Sequence, residues 1–383
     1  IYSIIKEVIT MEIIGIIAEY NPFHTGHKYH IEKIKELYPN SLLIAVISTT
    51  FTQRGEISVL NKWDKTKIAL DNDIDLVIEL PFIYATQSAD IFAKGALTIL
   101  NALKVDKIVF GSESNDIKTL EKIAKLQLNN PEFDQEVKHF LAKGYNYPTS
   151  LSLAIDKFNL DKITSPNDLL GISYIKEIIK NNYNITPITI KRTNNYHGNN
   201  KNTKYLSATE LRNKLNSNQS IKKYLTYDEK LLYKNINIFP FLKYKIIIDS
   251  NNLNQYQTVD EGIENRIKKY LNNATTTEEL ITKIKCKRYT YNKINRMLIH
   301  ILTSLTKQEA KTKIEYLKVL GFNHNGKNYL NKIKKETTLP IITNYKKINN
   351  SMLDIEYRVL KIYSLLVNDN NLIERELKKP IQK

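Results

Sequence analysis

The chain has 383 residues, of which 42% are hydrophobic and 25% charged, with a formal net charge of +17. This apolar content excludes a disordered or collagen-like chain, and the length predicts two or three domains of about 100–200 residues each. No stretch reaches the ~18 uninterrupted apolar residues of a membrane span, and a single cysteine, Cys286, excludes an intrachain disulfide and favours the reducing cytoplasm.

The charge is divided unevenly along the chain. Residues 1–180 carry a net −3 and residues 181–383 carry +20. A basic half of this kind usually meets a polyanion such as a nucleic acid. The alternative is that compositional bias toward lysine has scattered positive charges over solvated surfaces. That bias would have raised the first half as well, so a polyanionic partner is favoured.

The first half alternates apolar runs with amphipathic patterns. Nearly continuous Ile, Val and Leu predict buried strands, and apolar residues at helical spacing predict helices between them. The predicted strands are 13–18, 42–47, 76–80 and 107–110, and the predicted helices are 27–38, 62–72, 88–103 and 115–128. This order predicts an α/β fold with a parallel sheet. Its ligand site should lie at the carboxyl ends of the strands.

The pattern changes beyond residue 180. Residues 187–191 predict one more strand, and residues 207–215 predict a helix that begins with a Ser/Thr cap. From about residue 220 the chain is predicted to be mainly helical, with helices at 261–271, 277–286, 292–306 and 308–319.

Three histidines, His24, His27 and His30, follow the first predicted strand directly. Pro22 ends that strand, and Gly26 has no side chain, so a base or ribose could approach the backbone there. His24 and His27 are three residues apart and therefore share one side of a helix start, where the dipole already favours phosphate. The pattern predicts a phosphate-binding turn whose imidazoles stabilise charge during attack on phosphorus.

Two other interpretations of these histidines compete with phosphate binding. A His-x-x-His pair often lies on the surface of an amphipathic helix. Zinc would need further ligands at suitable spacing, and no cysteine is near. The position after the first strand of an α/β unit, together with Gly26, favours the nucleotide site.

The stretch around the histidines resembles a known family. His24-Thr25-Gly26-His27 is similar to the signature of the HxGH superfamily, which contains class I aminoacyl-tRNA synthetases and small nucleotidylyltransferases. Residues 15–30 resemble one family within it, the bacterial tRNA(Met) cytidine acetate ligases. Further matches follow in order at 51–56, 61–63, 75–82, 85–90, 110–113, 166–167, 170–171, 190–192, 207–212, 287–290 and 320–323.

The sequence departs from the family pattern at a few positions. Thr49 and Thr50 replace an expected Gly-Asn, and Asp168 stands where a second Asn is usual, so local contacts there are open. Met11 resembles the family's start, and residues 1–10 are expected to be an upstream extension. The resemblance implies a Rossmann-like, ATP-binding nucleotidylyltransferase domain at 11–220 and a helical, basic tRNA-binding domain at 221–383.

The resemblance also implies a two-step reaction. Acetate attacks the α-phosphate of ATP to give acetyl-adenylate and pyrophosphate, and the wobble cytidine of elongator tRNA(Met) then takes the acetyl group to form N4-acetylcytidine. The implied partners are ATP, with Mg²⁺ accompanying it, acetate and elongator tRNA(Met). No metal ligands in the protein and no membrane partner are predicted. The oligomeric state is left open, with a homodimer as one option.

The resemblance places catalysis on His24 and His27. Its ATP site comprises Ile17, Ala18, Glu19, Tyr20, Asn21, Pro22, Phe23, His24, Thr25, Gly26, His27, Lys28, Tyr29, His30, Gly111, Asn167 and Arg192. Gly111 would let the base lie on the backbone, Asn167 offers a donor and an acceptor to the ribose or base edge, and Arg192 offers a fork to phosphate. Ser207, Thr209 and Arg212 resemble a second phosphate-binding motif, although a plain helix cap would explain Ser207 equally well.

Polar residues after the second strand and a basic cluster in the second half complete the candidate residues. Gln53, Arg54 and Glu56 are expected to line the site, or else to form a surface loop. The basic cluster is expected to bind tRNA, with its tyrosines stacking on bases, or to form a solvated helix face; its members are Lys283, Lys285, Lys287, Arg288, Tyr289, Lys293 and Arg296.

Two other functions compete with the ligase. A small-molecule adenylyltransferase would explain the histidines but not some 200 further residues that carry +20. A non-catalytic RNA-binding protein would explain the basic half but not the intact histidine turn. The sequence therefore favours the ligase.

Overall fold

A computed structural model describes residues 11–158, 163, 165–192, 205–345 and 350–383. The expectation for residues 1–10 lies outside these ranges. Within them, no helix combines the length and the apolar character that crossing a bilayer requires.

A mostly parallel sheet forms the centre of the molecule. Its first five strands are β1 (Ile13–Ala18), β2 (Leu42–Ile47), β3 (Leu76–Glu79), β4 (Lys107–Ser112) and β5 (Thr186–Lys191). They stand in the order β5-β4-β1-β2-β3, and every neighbouring pair is parallel. The α/β fold and the strands predicted from continuous apolar runs are confirmed. The strand order reverses beside β1, which is where such folds bind ligands.

Three strands from the second half of the chain extend this sheet. They are β6 (Leu317–Phe322), β7 (Ile341–Ile342) and β8 (Ile381–Gln382). β6 pairs antiparallel with β3, and both β7 and β8 pair with β6. The predicted helix at 308–319 is therefore wrong. All six residues of β6 are buried, and a fully buried strand has no alternating pattern that would distinguish it from a helix.

Helices cover both faces of the sheet. Those of the first half are α1 (Thr25–Leu37), α2 (Lys62–Asp71), α3 (Phe82–Ala85), α4 (Ala89–Ala102), α5 (Ile117–Asn129), α6 (Pro131–Ala142), α7 (Tyr147–Lys157) and α8 (Pro166–Lys180). The later ones are α9 (Ala208–Asn216), α10 (Phe239–Ile248), α11 (Ile263–Leu271), α12 (Thr277–Ile284), α13 (Tyr291–Leu302), α14 (His324–Ile333), α15 (Ser351–Val367) and α16 (Asn371–Glu376).

Alternate residues of each central strand enter two different cores. On β2, Leu42 and Ile44 belong to one hydrophobic cluster, while Leu43 and Ala45 belong to the other. Both faces of the strand are therefore buried, which explains its continuous apolar sequence. Side chains of the C-terminal helices enter both cores, Met352 one and Tyr363 the other. The predicted domain boundary between residues 220 and 221 stays a prediction. Strands from beyond this boundary pair in the same sheet as the strands that precede it.

A ring of four buried charges joins the C-terminal segment to the sheet. Lys62 Nζ lies 3.1 Å from Glu79 Oε1 and 2.6 Å from Glu376 Oε2. Lys318 Nζ lies 3.1 Å from Glu79 Oε2 and also pairs with Glu376. The four side chains come from α2, β3, β6 and α16, and none is more than 5% exposed. Each charge is neutralised by two opposite ones, as buried ions require.

We expect Lys318→Met to lower the free energy of unfolding by about 3–5 kcal/mol, because it leaves two buried carboxylates with one ammonium. Urea denaturation measures this loss. The matched control is Lys33→Met, which removes an exposed pair with Glu36 and should cost no more than about 1 kcal/mol. Equal losses in the two variants would contradict the stabilising role of the ring.

Candidate active site

A cleft of about 430 Å³ opens at the carboxyl ends of the strands. It is lined by the end of β1, the first turn of α1, the loop after β2, the ends of β4 and β5, the starts of α8 and α9, and Asn292 of α13. The cleft lies at the predicted place. It also receives a residue of the C-terminal helices.

Most of the residues predicted for the ATP and phosphate site line this cleft. These are Ile17, Ala18, Glu19, Tyr20, Asn21, His24, Gly26, His27, Tyr29, His30, Gly111, Asn167, Arg192, Ser207, Thr209 and Arg212. Pro22, Phe23, Thr25 and Lys28 are not among the lining residues. Phe23 is fully buried in a core, and the exposed Lys28 pairs with Glu32 on α1. A direct contact of these four residues with the nucleotide stays a prediction.

The turn between β1 and α1 is fixed by backbone and side-chain contacts. Tyr20 has a φ of 46°, in the left-handed region, and the Asn21–Pro22 peptide bond is cis. The Asn21 side chain accepts from Val59 N at 2.9 Å and donates to Ile57 O at 3.2 Å. These bonds hold the turn to the segment that follows β2.

His24 and His27 form a reciprocal cap at the start of α1. His24 Nδ1 accepts from Gly26 N at 3.0 Å, and His27 Nδ1 accepts from His24 N at 3.2 Å. The two ring centroids are 4.0 Å apart. Because each Nδ1 accepts a backbone N–H, the neutral rings carry their hydrogen on Nε2. Each imidazole therefore keeps one N–H donor for a ligand.

Burial keeps these histidines uncharged. It lowers the pKa of His24 to about 3, with help from the positive charges of Arg192 and Arg212. Burial, with Arg192, lowers the pKa of His30 to about 4. Burial, followed by the neighbouring His24, also lowers the pKa of His27 well below its ordinary value. At neutral pH the rings are hydrogen-bond donors and not cations.

Gly26 lies against the capping ring of His24. A Cβ at this position would lie 2.8 Å from His24 Cε1 and 3.0 Å from His24 Nδ1. The missing side chain therefore makes room for the capping ring of His24, and the approach of a base or ribose to Gly26, which lines the cleft, stays a prediction.

The ends of β4 and β5 and the start of α8 carry Gly111 and Asn167, which are expected to hold adenosine, and Arg192, which is expected to bind phosphate. Asn167 Nδ2 donates to Glu113 Oε1 at 2.5 Å, and Arg192 Nε lies 3.7 Å from the same oxygen. A Cβ on Gly111 would lie 3.2 Å from Arg192 Cγ. Gly111 thus allows the arginine chain to cross the end of β4.

Asp168, which departs from the family pattern, anchors this side of the cleft. It is fully buried and accepts from Glu113 N at 3.1 Å and Ser114 N at 2.9 Å. The hydroxyls of Ser112 and Ser165 also donate to it. A carboxylate accepts four such bonds without the N–H group of an asparagine, so the aspartate suits this position.

Arg212 joins α9 to the histidine turn. Its Nη1 donates to Asn21 O at 2.6 Å, and its Nη2 donates to Glu56 Oε2 at 2.6 Å and to Thr209 Oγ1 at 3.2 Å. Ser207 caps the helix through Glu210 N. Ser207 therefore caps α9, as predicted, and also lines the cleft.

Gln53, Arg54 and Glu56 line the cleft, as one of the two interpretations of the sequence expected. Several apolar lining residues were not predicted: Phe92, Phe110, Leu169, Leu170 and Tyr174. The signal for Phe110 was its place at a strand end, before Gly111. The others lie on helices whose apolar faces look like ordinary core in the sequence.

The basic cluster divides into exposed and buried members. Lys285, Lys287 and Arg288 are exposed in the α12–α13 loop. Tyr289 is only 3% exposed, and its hydroxyl donates to Asp260 O at 2.7 Å. Tyr289 therefore cannot stack on a base, because its ring lies in a core. Arg296 is half-buried, and burial lowers its pKa to about 10, so its guanidinium stays charged at neutral pH.

Most members of the cluster have partners in the structure: Arg288 Nη1 lies 3.6 Å from Glu261 Oε2, and Lys287 Nζ lies 3.8 Å from the Tyr145 ring centroid. Lys283 pairs with Glu279 at 2.6 Å, and Lys293 Nζ lies 4.0 Å from the Tyr289 ring centroid. No group of three or more His, Cys, Asp or Glu side chains in the described ranges is placed to hold a metal ion.

Comparisons with known proteins agree with this geometry. A family model described as HIGH nucleotidyl transferase matches residues 11–379. A tRNA(Met) cytidine acetate ligase of Caldicellulosiruptor saccharolyticus is 39% identical and covers 93% of this chain and 94% of its own. The same-named protein of Anoxybacillus flavithermus is 35% identical, covering 97% and 99%.

A solved structure is also similar over nearly its whole length. It is the crystal structure of Thermotoga maritima TmcAL bound with alpha-thio ATP. It is 28% identical, with a TM-score of 0.86, and covers 97% of this chain and 99% of its own.

Gly26→Ala should reduce nucleotide binding at least tenfold, because the new methyl group displaces the His24 ring from its cap. Isothermal titration with a non-hydrolysable ATP analogue measures this. Gly144→Ala is the control, because a Cβ at that glycine meets nothing within 4 Å. Because Gly144 has a positive φ, alanine there strains the backbone without a steric contact, so this variant shows the effect of backbone strain alone. Similar affinity losses in both variants would contradict the explanation.

Proposed function

The chain belongs to the tRNA(Met) cytidine acetate ligase family of HIGH nucleotidyl transferases, and we propose that it joins acetate to the wobble cytidine of elongator tRNA(Met) at the expense of ATP. In the first step acetate attacks the α-phosphate and pyrophosphate leaves. In the second step the N4 amine of the cytidine takes the acetyl group and AMP leaves.

The observation that carries this proposal is the reciprocal histidine cap. It presents two neutral Nε2–H donors at a helix N-terminus, beside the guanidinium groups of Arg192 and Arg212. Phosphoryl transfer asks mainly for in-line positioning and for stabilisation of charge on phosphoryl oxygens. The neutral Nε2–H groups can donate hydrogen bonds to the phosphoryl oxygens without a change in their own protonation state.

The second step needs the adenylate to be shielded from water. Phe92, Phe110, Leu170 and Tyr174 give the cleft an apolar wall. This wall excludes water on one side while the strand ends supply polar groups on the other. The same cleft can therefore serve both steps.

The location of α13 supports a route for the tRNA. Asn292, in the first turn of α13, lines the cleft, and the exposed Lys285, Lys287 and Arg288 precede that helix directly. We propose that this basic loop holds the phosphate backbone near the wobble base, while the base itself enters the cleft. The anticodon loop is single-stranded, so little unstacking is needed.

The remaining assignments are part of the same proposal. Mg²⁺ would arrive with the phosphates of ATP, whose charge it neutralises, since no acidic cluster among the described residues offers it a site. The protein would act in the cytoplasm, where ATP and tRNA are found.

His27→Ala should lower acetate-dependent exchange of pyrophosphate into ATP by about 10²–10³, the usual cost of one transition-state donor. Affinity for tRNA should remain within twofold of wild type. His27→Asn is the matched control, because its side-chain oxygen can still accept from His24 N while the Nε2 hydrogen is lost. Full activity of His27→Asn would show that the cap alone matters, and loss of tRNA binding would show that the role is misplaced.

The double variant Lys287→Glu, Arg288→Glu should weaken tRNA binding and flatten its dependence on salt. Two lost phosphate contacts correspond to a decrease of about 1.4–1.8 in the slope of log K against log salt. The control variant, Lys332→Glu with Lys335→Glu, changes the net charge equally at exposed sites near the end of α14. An unchanged slope in the first variant would remove this loop from the RNA surface.

A further inference from the structure

We propose that the Glu19 carboxylate accepts the proton that the cytidine N4 amine loses when it takes the acetyl group. This inference rests on the proposed function and concerns its second step only. The resemblance to the family counted Glu19 among the ATP-binding residues, without a task of its own.

Glu19 lies directly after β1, between the phosphate-binding turn and the loop that follows β2. Its Oε1 accepts from Gln53 N at 2.5 Å, and the residue lines the cleft. The backbone bond fixes the side chain and leaves the second carboxylate oxygen available to a substrate. Glu19 is therefore held in place and half-exposed at the same time.

The loop after β2 forms a separate side of the cleft, away from the adenosine residues at the ends of β4 and β5. Gln53 Nε2 donates to Gln87 O at 2.7 Å, and Asn295 Nδ2 donates to Arg54 O at 3.0 Å. Gly55, with φ of 81°, lies so close to α13 that a Cβ would be 2.7 Å from Arg296 N. This loop is thus locked to the helix that brings Asn292 into the cleft.

These contacts define an acceptor side, composed of Glu19, Gln53, Arg54 and Asn292. Cytosine presents N4–H₂ as a donor and N3 and O2 as acceptors, and a carboxylate is the usual partner of its N4. Arginine, glutamine and asparagine can donate to N3 and O2. The acceptor side therefore matches the edge of the base that reacts.

Other titratable groups that line the cleft are occupied in ways that prevent them from taking this proton. Nδ1 of His24 and of His27 accepts a backbone N–H, so each ring presents an N–H and no lone pair. Burial lowers the pKa of His30 to about 4, so its ring takes up a proton poorly at neutral pH.

Lysine and the second carboxylate are also unsuitable. Nearby Lys65 donates to Glu19 O, Ser48 O and Thr49 O at 2.7–3.1 Å, which uses all three ammonium hydrogens. Glu56 is paired with Arg212 at 2.6 Å. In the part of the chain that the structure describes, Glu19 is the cleft-lining carboxylate without such a pair.

The acetyl transfer forms one bond to the acetyl carbon, breaks another, and releases one proton. The N4 lone pair forms a bond to the acetyl carbon, and the bond from that carbon to the phosphate oxygen breaks, so that AMP leaves with the electron pair. The amine nitrogen loses one hydrogen as a proton to the free oxygen of Glu19. The products are N4-acetylcytidine, AMP and a protonated Glu19, which returns its proton to solvent when the products leave.

The charges around Glu19 suit a proton acceptor that works near neutral pH. Burial raises its pKa, the backbone bond from Gln53 opposes this, the negative Glu56 raises it further, and the positive Arg54 and Lys65 lower it. The Tyr174 ring faces it from α8, and the nearby Glu19 adds to the burial that raises that tyrosine's pKa. A base with a raised pKa takes a proton more effectively than an ordinary carboxylate.

The test separates the two steps in Glu19→Gln. Acetyl-adenylate formation is followed by acetate-dependent pyrophosphate exchange, and transfer is followed in a single turnover of preformed enzyme-bound adenylate with tRNA(Met) transcript. We expect transfer to fall by about 10²–10⁴, the range for loss of a general base, and to fall at least thirtyfold more than exchange. Glu19→Asp keeps a carboxylate and should recover part of the transfer rate.

The pH profile gives a second readout. The wild-type transfer rate should fall toward acid, because protonated Glu19 cannot act as a base, and the midpoint should lie above the ordinary range of a glutamate. In Glu19→Gln the residual rate should lose this acid limb. A purely structural role would lower the rate and leave the profile unchanged.

Several outcomes would overturn the assignment. Equal losses of exchange and transfer would place Glu19 in the first step, and an unchanged transfer rate would exclude it from catalysis. Glu56→Gln is the comparison, and through Arg212 it should disturb exchange more than transfer; the reverse would name Glu56 as the base. Absence of acetate-dependent exchange in the wild type would instead refute the proposed function itself.

Discussion

The active site depends on one local arrangement, the use of two histidines as the cap of their own helix. His24 and His27 satisfy backbone N–H groups with Nδ1, so neither ring can turn without cost to the helix start. Their orientation is therefore set by the same bonds that begin α1. A site of this kind is preorganised by secondary structure, and the binding of nucleotide need not pay for the ordering of its donors.

The cleft joins the two halves of the chain, which have different charge. The near-neutral first half supplies the histidine turn and the ends of β1 and β4, and the basic second half supplies the end of β5, the start of α9 and Asn292 of α13. Gly55 and Asn295 fix the loop after β2 to that helix. The loop after β2 and the start of α13 are thus held together at the cleft, although they lie far apart in sequence.

Local patterns predicted the features that local physics determines. Buried parallel strands are continuous apolar runs, so β1 and β2 were found with correct ends, and the histidine turn was visible because its residues are adjacent. β6 was missed because it is buried throughout and so shows no alternating pattern, and because Lys318 stands inside it. Its charge is explained only by Glu79 and Glu376, which lie elsewhere in the sequence. The burial of Tyr289 and the entry of Asn292 into the cleft could not be predicted either, because both depend on contacts with residues that are distant in the sequence.

The ring of four charges also has a consequence for biosynthesis. During translation, Lys62 and Glu79 leave the ribosome long before Lys318 and Glu376, which are their partners. Until then the edge of β3 has no neighbour, since β6 is the strand that covers it. A nascent first half therefore exposes an unpaired strand edge and a Lys62–Glu79 pair that lacks its second lysine and second glutamate. The chain can complete its sheet only after β6 and β8 have been synthesised, so the catalytic first half matures after the segment that follows it.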